Sequence, residues 1–180
     1  MAEATANTRK WQMRLVYLLL VLAILYLQLL PLQTAPRSWA GPDLILLFTV
    51  VWAIRRPEYV PALSVAVVAL LADFILMRPP GVMAAILVAA RQMLKHQEPG
   101  LRDSPFALEW LTAAAALAAI LLANRLVLAV FLVEQPALGI SLTQLFMNVL
   151  AYPLVVLVSR LAMGVRKLRP GETDAVAGAP

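Results

Sequence analysis

Leu15 to Leu32 reads LVYLLLVLAILYLQLLPL, an apolar run broken only by Gln28 and Pro31. Its leucines fall on every face of a helix drawn through it, as expected of a segment surrounded by lipid rather than one with a single core-facing stripe. Arg9, Lys10 and Arg14 precede it. That basic flank also fits the start of a secretory signal, but the run exceeds the usual signal core of about 7–15 residues. Ser38-Trp39-Ala40 is a poor cleavage site. The segment is expected to be a retained membrane anchor.

The rest of the chain has the same character. Of its 180 residues 62% are hydrophobic and 14% charged, with a mean hydropathy of +0.83, against about 45–50% and about 25% in soluble domains. One small core cannot hold this much apolar surface, so lipid must solvate much of it. The net charge is +5, yet the bases flank apolar runs instead of sharing one solvated face, which argues against nucleic acid. With no cysteine and a single histidine, His96, thiolate metal sites, iron–sulfur clusters and disulfides are excluded.

The pattern predicts an all-α membrane protein with six transmembrane helices, at about 15–33, 40–56, 59–77, 81–95, 106–133 and 138–165. Short disordered tails are expected at 1–10 and 170–180. The second span opens at Pro42 and Asp43, residues suited to a helix start, and closes at Arg55-Arg56-Pro57. The third ends in Arg78-Pro79-Pro80-Gly81, which cannot continue a helix. The fourth is the weakest, because Arg91 and Gln92 shorten it unless Arg91 snorkels to the headgroups. Lys95 to Pro105 reads as a loop, with both charge signs, Gly100 and two prolines. In the fifth span seven alanines between Ala113 and Ala123 allow close helix approach. About two thirds of the chain would lie in spans of roughly 20 residues, leaving no room for a soluble catalytic domain.

With the amino terminus inside, the cytoplasmic segments hold Arg9, Lys10, Arg14, Arg55, Arg56, Lys95, Arg102, Arg160, Arg166, Lys167 and Arg169, and the outer segments only Arg37 and Arg78. This asymmetry predicts both termini in the cytoplasm. Trp11, Trp52 and Trp110 would lie near the inner interface and Trp39 near the outer one.

Asp73 is a carboxylate inside an apolar run, a costly placement that requires partners. It is expected either at the interface, reaching water or a nearby base, or as a buried anchor for the Arg78–Gly81 turn. Ser141, Gln144, Asn148, Tyr152 and Ser159 share a helical arc of about 80°. That seam should face other helices, through hydrogen bonds or as the wall of a pocket or partner site. Arg125 would snorkel outward or pair with Asp73 or Glu134. No nucleophile–His–acid set can be assembled around one loop histidine, so an enzyme is not expected, nor any cofactor.

Pro42-Asp43-Leu44-Ile45-Leu46-Leu47, then Trp52 and Arg55-Arg56-Pro57-Glu58-Tyr59-Val60-Pro61, together resemble the bacterial rod shape-determining protein MreD family. So do Leu70-Leu71-Ala72-Asp73, Met77-Arg78-Pro79-Pro80-Gly81, Leu138-Gly139 and Tyr152-Pro153-Leu154. The resemblance covers most of residues 40–160. It departs where alanines stand in place of a glycine common before the aspartate-containing segment. It implies a non-catalytic inner-membrane subunit of the machinery that inserts peptidoglycan along the cell's sides. The implied partners are MreC, the MreB filament, and RodA with its penicillin-binding transpeptidase. The fold implied is similar to the substrate-binding subunits of energy-coupling-factor transporters. Such a small-molecule-binding transporter subunit is the rival function, although the first run has only Ala23 where those subunits commonly carry an Ala-x-x-x-Ala contact motif.

Overall fold

The computed structural model describes residues 2–30 and 40–167. Six α-helices follow one another: α1 (Ala2–Leu29), α2 (Leu44–Arg55), α3 (Ala62–Ile75), α4 (Val82–Leu101), α5 (Phe106–Val130) and α6 (Leu138–Met163), with a 3-10 turn at Pro57–Tyr59 after α2. Three of them are long and apolar enough to cross a membrane: α1 from Asn7, α5 and α6. Helices α2 and α3 are apolar but shorter. Leucines on α1, α5 and α6, such as Leu19, Leu122, Leu126, Leu142 and Leu154, stand exposed on the outside of the bundle. Lipid, not water, suits such a surface. The chain is a membrane protein.

Helix α2 is the axis of the bundle. It is apolar on all sides, and every residue from Ile45 to Arg55 is buried, as a helix without a polar face requires. It packs on α1, α4, α5 and α6. Its start is set by Asp43 rather than Pro42: the Asp43 carboxylate accepts from Leu46 N at 3.1 Å, filling one of the unpaired amide positions of a first turn. Trp52 is fully buried and packs between Tyr17 and Tyr59. It is therefore a core residue and not the interfacial anchor expected from sequence.

Helix α4 corrects two further expectations. Of the loop expected at Lys95–Pro105 only Arg102–Pro105 is one, because α4 runs on to Leu101 through Pro99. Ala84, Leu87, Arg91, Leu94, Glu98 and Leu101 form one buried face at helical spacing, and that face carries the helix past its polar stretch. Glu98 and Arg102 add a two-pronged pair at 2.7 and 2.9 Å. Arg91 does not snorkel. It is buried, and its guanidinium donates to Val60 O at 2.8 Å and Pro57 O at 2.9 Å. Those carbonyls lie where the chain leaves helical geometry between α2 and α3. Arg91 supplies the donor that Val60 O lacks and a second one to Pro57 O, which also takes the Val60 N–H at 3.3 Å.

The residues expected as a tail at 1–10 belong to α1 from Ala2 onward, a stretch containing good helix formers. Helix α3 occupies the centre of the expected 59–77 span. Arg37, Trp39, Arg169 and the expected tail 170–180 lie outside the described residues.

Candidate functional site

The start of α2 is recessed in the bundle. Its cap residue Asp43 donates a backbone N–H to Asn148 Oδ1 at 2.7 Å, and Asn148 lies ten residues into α6. At 1.5 Å per residue, about 15 Å of α6 extends beyond that level. Above α2 lies a cavity of about 310 Å³, walled by α5, α6, the α5–α6 link and the α3–α4 turn. Leu46, Leu117, Ile120, Leu121, Leu128 and Leu145 line its apolar side, and Asp43, Arg78, Asn124, Arg125, Ser141, Gln144 and Asn148 supply polar groups.

The α3–α4 turn is built by Asp73. Helix α3 closes with Met77 in the left-handed region (φ 54°), and Arg78 N reaches back to Asp73 O at 2.9 Å. The Asp73 carboxylate accepts from Gly81 N at 3.0 Å and Ala84 N at 3.3 Å. It thereby caps the first turn of α4, whose own cap position is a glycine with no side chain to offer. Gly81 is required there by its φ of 86°. Asp73 is fully buried. Of the two arrangements open from sequence, it takes the anchoring one. Its Oδ1 is buried without a protein partner among the described residues, and Asp73 borders a space of about 10 Å³ shared with Asp43 and Arg78, near the size of one water.

Arg78 is partnered by Asp43 Oδ2 at 3.7 Å. Pro79 lines the cavity, while Pro80 is exposed at the tip of the turn. Arg125 corrects the pairing expected from sequence. Its Nη1 donates to Ser141 Oγ at 2.8 Å and Pro136 O at 3.1 Å, and Gln135 returns a bond to Arg125 O at 3.0 Å. Neither Asp73 nor Glu134 pairs with it. The α5–α6 link folds back and brings neutral acceptors within reach, and Asp73 is committed to α4.

The α6 seam divides at Asn148. Ser141, Gln144 and Asn148 line the cavity, whereas Tyr152 and Ser159 are buried hydrogen-bonding residues nearer the other end. Ser159 accepts from Trp52 Nε1 at 3.2 Å, and Tyr152 donates to Glu109 Oε1 at 3.0 Å. Glu109 also takes Arg55 on both oxygens at 2.7 and 3.2 Å, and Lys167 at 3.0 Å. Lys167 donates further to Leu101 O at 3.0 Å and Ser104 O at 3.1 Å beyond α4, where a cation meets the negative end of the helix. In sequence Glu109 stands near the inner end of the fifth span, with nothing local to name its partners. Its depth, matching that of Arg55 at the end of another apolar run, was the available signal.

Among the described residues no group of three His, Cys, Asp or Glu could hold a metal ion. The chemistry on offer at the cavity is recognition through two guanidiniums, Arg78 paired with Asp43 and Arg125 bonded to neutral acceptors, with Glu134, amides and a hydroxyl beside an apolar wall. Comparison with family models finds no match, and comparison with curated proteins and with solved structures finds none.

Proposed function

We propose that the chain is a non-catalytic scaffold subunit of the bacterial cell-elongation machinery, of the MreD kind, controlling cell shape and sidewall peptidoglycan synthesis. In this reading it crosses the inner membrane six times with both termini in the cytoplasm, in a fold similar to that of energy-coupling-factor substrate-binding subunits. The observation that carries the proposal is the Asp73–Gly81 turn. The residues that give the sequence its resemblance are joined there by a buried carboxylate and two backbone amides.

The short helices are compatible with six spans. Backbone that leaves helical geometry within a bilayer must be satisfied by protein, and Arg91 does this between α2 and α3 as Asp73 does between α3 and α4. MreC, MreB and RodA with its transpeptidase would engage exposed helix faces and brief turns.

Depletion in a rod-shaped host should round the cells and scatter sidewall synthesis; unchanged rods would reject the proposal. The native chain has no cysteine, so topology can be read cleanly by thiol labelling. Pro80→Cys should react from outside the cell and Gln97→Cys only after permeabilisation. The cavity favours a second reading, a small-molecule-binding transporter subunit. Lost uptake of a vitamin at normal cell shape would select it.

A further inference from the structure

We propose that the cavity above α2 seats the phosphodiester headgroup of an anionic lipid, with Arg125 as its charge partner. The argument begins with the charges around the space. Asp43 is committed three times: its Oδ1 caps Leu46, its Oδ2 faces Arg78, and its backbone N–H is taken by Asn148. Arg78 and Asp43 therefore offset each other. Glu134 is exposed at the rim, where water screens it. Arg125 is half-buried and pairs with no carboxylate among the described residues. Its neutral partners, Ser141 Oγ and Pro136 O, engage only Nη1.

A guanidinium in a membrane protein without a counter-charge is costly, and its remaining donors match the oxygens of a phosphate. One unspent cation calls for a monoanion, which a phosphodiester supplies. Neighbouring groups extend the recognition. The Asn148 oxygen is fixed by the Asp43 amide, which leaves the Asn148 amide nitrogen as its donor, and Gln144 and Asn124 add amides on the same wall.

The apolar side of the cavity decides between a lipid and a free anion. Leu117, Ile120, Leu121 and Leu128 would strip water from inorganic phosphate without replacing it, whereas the glycerol and upper acyl carbons of a lipid gain by covering them. The volume lies at the small end of ligand pockets, enough for a headgroup with the acyl chains left in the bilayer. This site does not rest on the cell-shape proposal, because it is read on the purified chain.

The test is lipid retention by native mass spectrometry of the full chain in neutral detergent, with phosphatidylglycerol or phosphatidylcholine added. Phosphatidylglycerol should be retained about tenfold over phosphatidylcholine, a ratio typical of losing one tight ionic contact at 1.4 kcal/mol per decade. Arg125→Gln should abolish that preference, and Arg125→Lys should keep part of it. Arg160→Gln, an exposed cation near the other end of α6, should leave it intact. Ile120→Trp adds bulk to the cavity wall while leaving the Arg125 side chain in place and should lower retention, which keeps the test decisive if Arg125→Gln does not fold. Equal retention of the two lipids, or retention unchanged in both Arg125→Gln and Ile120→Trp, would overturn the proposal. So would full competition by millimolar inorganic phosphate, which would identify a free anion as the ligand.

Discussion

The two ends of the bundle use similar residues to opposite effect. At the Arg55 end, buried polar groups bind one another: Glu109 is held by Arg55, Lys167 and Tyr152, and Trp52 by Ser159. At the Arg78 end, Asn124, Arg125, Gln144 and Asn148 surround a cavity. One helix, α6, contributes to both from a single polar arc. The difference comes from α2, which has 12 residues against 26 in α6. Where α2 faces the seam, polar side chains weld helices together; above its start they line a space. Backbone strain follows the same division. Among the described residues the non-glycine positions with positive φ, Met77 and Leu132, both lie at the cavity end, and strain of this kind collects at functional sites.

The largest effect should come from breaking the welded end. Glu109→Ala leaves Arg55 buried without its carboxylate, and loss of one partner of a buried pair costs about 3–5 kcal/mol. Denaturant or thermal unfolding in detergent would measure it. A loss below about 1 kcal/mol, the level of an exposed pair, would erase the distinction between the two ends. Next is Arg91→Met, which keeps the side-chain bulk but strips Val60 O of its donor and leaves Pro57 O with only the Val60 N–H at 3.3 Å. An unsatisfied buried acceptor costs about 1–3 kcal/mol, so a loss of about 2 kcal/mol is expected, with local opening between α2 and α3 seen as faster hydrogen exchange there.

These two residues also mark how far sequence could go. Helices, their order and the turn at Asp73 were legible because apolar runs, prolines and glycines act locally. Asp73 was recognisable as an anchor candidate because a carboxylate in an apolar run has few neighbours to choose from. The partners of Arg91 and Arg125 were not legible. Arg91 bonds to the carbonyls of Pro57 and Val60 and Arg125 to that of Pro136. Every residue carries such an acceptor, and the Ser141 hydroxyl that also takes Arg125 is neutral, so no charge in the sequence points to these partners. The extent of α2 was hidden for a related reason: residues 40–43 continue the pattern up to a capping aspartate, and only the Asp43–Asn148 bond fixes its depth. The path of α4 past Lys95 depended on reading a buried face through Glu98, whose charge looked like a loop.

Strain offers a smaller and opposite effect. Met77 holds a left-handed conformation (φ 54°) and its side chain is almost wholly exposed, so Met77→Gly removes strain with little loss of packing. Stability should rise by about 1 kcal/mol, the lower end of the cost of such a backbone. No gain, or a loss, would show that the Met77 side chain is held by lipid or a partner, which would sharpen the case that this end is an interface.

The smallest effect should come from Gln144→Ala. Gln144 lines the cavity and makes no protein hydrogen bond among the described residues, so its removal breaks no internal contact. Its stability change should stay within about ±0.5 kcal/mol, as for substitutions that disturb no packed or paired group. Tyr152→Phe, two turns along the same arc, removes a bond to Glu109 and should cost more, near the average of about 0.6 kcal/mol for hydrogen bonds between membrane helices. If Gln144→Ala instead matched or exceeded Tyr152→Phe, the seam would be one continuous weld and the cavity would have no special standing. If it left stability alone but lowered lipid retention, the polar groups at this end would be held for a ligand rather than for the fold.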